Sequence, residues 1–247
     1  MAFHHSPRII TDGLIMYLDA GNIKSYPKTG NTWYDLKRTY NATIVGPSFN
    51  SNGYFDFLGQ GEYDGDPTGD YISLNNDVTN TSPSIKPNGV TYDWWMKFNG
   101  NQTHGHCILY GSGTMNHMEW RGTTTDGYWR TEAAIQNGYS FGASGDFGHQ
   151  LEEWFNMTVV FANNEEFRPV RWYLNGNLFY TGNMTGGTSP STEYFRPNAF
   201  GRATGTSQYL YSESFLGSLS IFKIYDRVLT PGEILYNHIA LRGRFGV

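Results

Sequence analysis

Trp154-Phe155-Asn156-Met157-Thr158-Val159-Val160-Phe161 and, after a polar interval, Val170-Arg171-Trp172-Tyr173-Leu174-Asn175-Gly176-Asn177-Leu178-Phe179-Tyr180-Thr181 decide the fold. In the first run Phe155, Met157, Val159 and Phe161 recur at period two, with Asn156 and Thr158 between them. That alternation predicts a strand with one buried face. In the second run Val170, Trp172 and Leu174 alternate with Arg171 and Tyr173. Asn175-Gly176 then separates two strand-like runs, and both residues tolerate the positive φ that a tight hairpin needs. A three-stranded antiparallel meander is expected.

The rest of the chain agrees with this class. Aromatic residues make up 17% of the 247 residues and charged residues only 16%, with 30 Gly and 10 Pro. Aromatics suit pleated surfaces and Gly and Pro suit turns, so the balance favours β structure over helix. A chain of this length folding as one unit buries roughly 70–75% of its extended surface and needs no covalent staple. A single cysteine, Cys107, excludes an intramolecular disulfide. The net charge of −5, with no run of Lys and Arg interleaved with aromatics, argues against nucleic acid or an anionic membrane as partner. Met1-Ala2-Phe3-His4-His5-Ser6-Pro7 has neither a basic nor an apolar signal region, so synthesis in the cytoplasm is expected. Asn-x-Thr/Ser triplets at Asn41, Asn80, Asn101, Asn156 and Asn183 are read as chance occurrences.

In chain order, strands are expected at Leu14–Asp19, Trp33–Leu36, Ala42–Val45, Gly53–Leu58, Tyr71–Leu74, Gly89–Phe98, Cys107–Tyr110, Met118–Arg121, Tyr128–Ile135 and Phe215–Tyr225, with a loop from Tyr139 to Gln150. Ala20 to Thr32 reads as a Gly/Asn/Pro/Ser loop. One helix carries its own start signal: Thr230 as cap, Pro231 at the first helical position and Glu233 as the capping-box acid. Ile234, Leu235, Ile239 and Leu241 are its expected apolar stripe, and Gly243 its expected terminator. Residues 1–11 are expected to be an N-terminal arm and residues 12–247 a single domain.

The order of these pieces resembles the concanavalin A-like lectin/glucanase superfamily, in its laminin-G-like branch. The resemblance lies in Trp154–Val160, Tyr173–Leu178, Phe200-Gly201-Arg202, Phe215–Leu219 and the ending Ile224-Tyr225-Asp226-Arg227-Val228-Leu229-Thr230-Pro231-Gly232-Glu233-Ile234. It also covers the opening Gly13–Asp19, then Phe55-Asp56-Phe57 and Asp70-Tyr71-Ile72, with Glu62 to Gly69 standing as an insertion. It implies an all-β jelly-roll sandwich of two antiparallel sheets closed by one short C-terminal helix. The segments Leu18–Asn22, Gly30–Leu36 and Leu241–Gly246 are similar to domains of tailed-bacteriophage structural proteins.

Four constellations bear on chemistry. The superfamily's glucanases carry Glu-x-Asp-x-Glu on one strand, and a retaining pair must stand ~5–5.5 Å apart; no strand here has that pattern, and Glu152-Glu153 would face opposite ways. Glu62, Asp64, Asp66 and Asp70 could offer oxygen ligands to calcium, against the favoured reading of a solvated acidic loop. His104-Gly105-His106-Cys107 reads as a loop leading into a buried strand rather than a metal cluster. Trp120, Tyr128, Trp129 and Tyr139 either form a sugar-stacking face or turn into the core, and the sequence leaves both readings open. Trp94, Trp154 and Trp172 are expected in the core.

The resemblance, with the missing signal region, implies a non-enzymatic, multicopy structural subunit of a phage particle (an exposed capsid decoration, head-fibre or tail-appendage subunit) without a required cofactor. Its partners would be other virion proteins and host-surface glycans. The competing readings are a lectin module of an adhesin and a glycoside hydrolase.

Overall fold

The computed structural model describes residues 8–59, 69–74, 89–100, 106–111, 116–121, 128–133, 141–142, 152–162, 169–183, 197–201 and 215–247. Among them are sixteen strands and one helix, arranged as two antiparallel eight-stranded sheets. The meander forms as expected. Strands β12 (Phe155–Phe161), β13 (Pro169–Leu174) and β14 (Asn177–Asn183) are neighbours, and Asn175 and Gly176 at the tip have φ of 49° and 80°.

The first sheet continues from β12 through β7 (Val90–Phe98) and β16 (Leu216–Tyr225) to β5 (Tyr54–Leu58) and β4 (Ser48–Asn50). One edge of β16 lies along β7 for its whole length. The other edge is shared: Leu216–Leu219 pair with β5, and Ile221–Tyr225 pair with β1 (Leu14–Asp19). The second sheet runs β11 (Phe141–Gly142), β10 (Tyr128–Ala133), β9 (Asn116–Arg121), β8 (His106–Gly111), β15 (Pro197–Phe200), β6 (Tyr71–Ser73), β3 (Ala42–Val45), β2 (Thr32–Trp33). Two strands escaped the sequence reading. β4 is too short and polar to show periodicity, and β11 is two residues within what reads as loop.

The layers meet through aromatic rings. Phe222 of the first sheet and Phe200 of the second stand edge to face at 4.7 Å, Phe200 also approaches Trp94 at 6.3 Å, and Phe55 meets Trp33 at 5.0 Å. Such pairs contribute about 0.5–1.5 kcal/mol each beyond the area they bury.

β12 departs from the one-buried-face expectation: all of it, and nearly all of its sheet companions β7 and β16, is buried on both faces. The helix α1 (Pro231–Phe245) and the segment at Ile9-Ile10 cover the outer face. Under them lies a fully buried ion pair, Lys223 Nζ 3.0 Å from Asp93 Oδ1. Asp93 also accepts hydrogen bonds from Asn156 Nδ2 (3.2 Å) and Thr158 Oγ1 (3.3 Å). Thr91 Oγ1 donates to the Arg227 carbonyl and accepts from Leu229 N–H. Burying charge is tolerated where it is paired and hydrogen-bonded. Full burial of Asn156 also leaves no room for a glycan there.

That polar floor explains two further differences. The buried helix face is Ile234, Asn237 and His238, while Leu235 and Ile239 of the expected stripe are exposed. Asn237 accepts from Ile10 N–H at 2.8 Å and donates to the Tyr225 hydroxyl at 3.0 Å, which donates to the Ile10 carbonyl. Residues 9 and 10 are therefore docked rather than part of a free arm. His238 and Phe245 stack on Trp95 at 5.4 and 4.2 Å, and burial holds the His238 imidazole below its ordinary value. The capping box at Thr230 and Glu233 forms as read from sequence. The helix runs through Gly243, however, and ends at Gly246 (φ 74°), whose N–H donates to Arg242 O. Gly243 costs the helix about 1 kcal/mol relative to Ala and does not stop it, because Phe245 gains its stacking on Trp95 by continuing. Trp94 and Trp172 are core residues, but Trp154 is half-buried on the outer face beside Phe245.

Candidate functional site

A surface site among the described residues lies on the connection from β1 to β3, Ala20–Asn41, and its rigidity begins with Asp35. This side chain is 3% exposed and accepts four backbone N–H groups. Tyr17 and Lys37 donate to Oδ1 at 2.8 and 3.0 Å, and Thr39 and Tyr40 donate to Oδ2 at 3.0 and 3.1 Å. Asp35 N–H in turn donates to Asn41 Oδ1, and Leu36 N–H to the Tyr17 carbonyl. Charge-assisted bonds of this kind are the stronger ones, and here they clamp the loop onto β1. Buried Ser25 ties the other arm, donating to Tyr34 O at 2.6 Å and accepting from Asp19 N–H at 3.0 Å.

On this frame opens a pocket of about 690 Å³ lined by Lys24, Tyr34, Asp35, Leu36, Arg38 and Asn41. Tyr34 is an exposed ring, and Arg38 holds a positive φ of 64°. The loop's cations, Lys24, Lys28, Lys37 and Arg38, are all exposed. They are scattered along the chain, so no basic run is visible in sequence; folding brings Lys24 and Arg38 into one pocket beside an aromatic residue. An aromatic platform with fixed polar groups is what a small polar ligand requires.

A smaller pocket of about 140 Å³ lies at the end of the same loop, lined in part by Ile23, Tyr26, Lys28, Asn52 and Arg244. The Arg244 guanidinium pairs with Asp19 at 2.6 Å and donates to Gly53 O and Ser220 Oγ. A Cβ at Gly21 or Gly53 would collide with this packing. The charge of Arg244 is already matched, so it ties the helix end to the junction of β1, β5 and β16.

The residues singled out in sequence fare differently. Trp120 and Trp129 are direct register partners across β9 and β10, and Tyr128 pairs with Arg121. A single register row crosses Ile72, Phe200, Leu109, Met118 and Thr131. Ile72, Phe200 and Leu109 belong to the core. Tyr139 lies outside the described residues, as do the side chains of Trp120, Tyr128 and Trp129.

Glu62, Asp64 and Asp66 fall outside the described residues, as does His104. Asp70 accepts from Leu58 N–H at 2.8 Å, and desolvation raises its carboxyl above the ordinary value. No group of three or more His, Cys, Asp or Glu among the described residues could hold a metal ion. No helix among them is long and apolar enough to cross a membrane.

A family model described as the concanavalin A-like lectin/glucanases superfamily matches residues 66–235, more than half of the chain. The chain belongs to this superfamily. Among curated proteins none matches. Solved structures share the superfamily fold at low identity. A mutant of Trypanosoma rangeli sialidase is 14% identical with a TM-score of 0.65, over 97% of this chain but 34% of that one. The binding domain of botulinum neurotoxin DC, in complex with rat synaptotagmin II, is 13% identical with a TM-score of 0.61, over 92% of this chain and 52% of that one. Domain 4 of a GH43 extracellular arabinanase from Geobacillus stearothermophilus, in complex with arabinotriose, is 14% identical with a TM-score of 0.62, over 92% of this chain and 98% of that domain. The chain thus spans about a third of the sialidase and nearly all of the arabinanase domain.

Proposed function

We propose that the chain is a non-catalytic carbohydrate-binding sandwich, carried in many copies as an exposed structural subunit of a tailed-phage particle. It would be made in the host cytoplasm, would contact other virion proteins and would touch glycans of the host surface. The observation that carries the binding part is the pocket beside Tyr34, pre-organised by the fourfold-bonded Asp35. Support comes from the arabinanase domain, which matches over nearly its whole length and was solved with a bound trisaccharide. The virion part rests on the resemblance of the opening and closing segments to phage structural domains.

Two measurements test the two parts separately. Mass spectrometry of purified particles is expected to find the chain in multiple copies, and its absence would remove the virion role. Incubation with bacterial polysaccharide is expected to bind glycan without releasing sugar. Turnover would instead support a hydrolase.

A further inference from the structure

The loop Ala20–Asn41 holds four cations and one carboxylate, in a chain whose net charge is −5. That carboxylate, Asp35, is spent on four backbone N–H groups. No carboxylate among the described residues forms an ion pair with Lys24, Lys37 or Arg38. Two of the four non-glycine residues with positive φ among the described residues are cations of this loop, Lys28 and Arg38. Glycine would adopt that conformation without strain, so its retention by Arg38 at a pocket rim is an outlier that points to use.

We propose that the pocket lined by Lys24, Tyr34, Arg38 and Asn41 is a subsite for an anionic sugar, a hexuronate or a sulphated hexose. The exposed Tyr34 ring supplies a face for the C–H side of a pyranose. Lys24 and Arg38 supply charge for the acidic group, Arg38 with the planar fork that suits carboxylate and sulphate. The Asn41 carbonyl oxygen is engaged by Asp35 N–H, which fixes the side chain's position. The inference deepens the carbohydrate-binding reading and rests on it.

Calorimetric titration of the full chain with four probes tests it: a trigalacturonate, a sulphated trisaccharide, a neutral galactose trisaccharide and a short single-stranded DNA. At least one acidic trisaccharide is expected to bind roughly tenfold or more tightly than the neutral one, and which of the two does so identifies the acidic group. Binding should weaken several-fold between low and high salt, as exposed charge contacts are screened. Tyr34→Ala should lower affinity by about fivefold to tenfold. Arg38→Gly with Lys24→Gln should abolish the acidic preference, while the melting temperature holds or rises because glycine relieves the positive φ. Equal affinity for acidic and neutral sugars overturns the anionic subsite and leaves carbohydrate binding standing. No affinity for any sugar overturns both. DNA binding as tight as the acidic sugar's, or acidic binding indifferent to Tyr34→Ala and the cation variants, overturns the subsite.

Discussion

The two faces of the central strands solve burial in opposite ways. Towards the second sheet, β7, β12 and β16 present Tyr92, Trp94, Met157, Val159, Phe222 and Ile224, an apolar surface held by close packing. Beneath α1 the same strands present Thr91, Asp93, Asn156, Thr158 and Lys223, equally inaccessible but held by polar pairing. The Lys223 ammonium has no well-angled hydrogen bond among the described residues, and Asn156 Oδ1 has none either, so that network is incompletely satisfied. The inner face tolerates loss in proportion to volume removed. The outer face is all-or-none, because one lost partner strands the other.

The largest effect should come from breaking the outer pair. Lys223→Met leaves Asp93 buried and uncompensated, and an equilibrium denaturation is expected to show a loss of about 3–5 kcal/mol. Adding Asp93→Leu should recover most of it, since two apolar groups need no partner. Failure of the double variant to recover would mean that Asn156 and Thr158 depend on the carboxylate more than the ammonium does. On the inner face, Met157→Ala should cost about 2–5 kcal/mol through lost contact and a residual cavity. A second truncation beside it, such as Val159→Ala, should add to that cost and rescue nothing; rescue would erase the distinction between the faces.

A smaller effect sits where the outer face's cover begins. Arg227 forks onto Glu233 at 2.7 and 3.0 Å and, with Thr230, holds its carboxyl down to about 2 from an ordinary 4.5. A folded-state value below the unfolded one means that the stabilisation is complete above pH 4.5 and is lost as pH falls towards 2. Partial exposure limits it to about 1 kcal/mol. Thermal melts from pH 6 down to pH 2 should therefore show a drop in that window which Glu233→Gln removes.

What could be read beforehand follows from the same contrast. Period-two alternation in Phe155–Phe161 marked the inner face, and the Asn175-Gly176 turn and the Thr230 cap are local chemistry. The outer face was illegible because Asp93 and Lys223 look like solvent-facing residues until they are seen as register partners far apart in sequence. Leu235 and Ile239 misled for the same reason: a helix lying on a polar floor buries Asn237 and His238 instead. The candidate site was missed because Lys24 and Arg38 are far apart in sequence, and the bonds of Asp35 and Ser25 fold them into one pocket. A lone acid among four loop cations was the available signal.

The position of β16 has a temporal consequence. The last strand among the described residues is also the one that β1, β5 and β7 all pair with. Until it emerges from the ribosome, three earlier strands wait with open edges, and such long-range closure is slow. The nascent polypeptide therefore depends on β16 to close its first sheet, and interruption of translation shortly before residue 216 should yield an aggregating product rather than a smaller folded one.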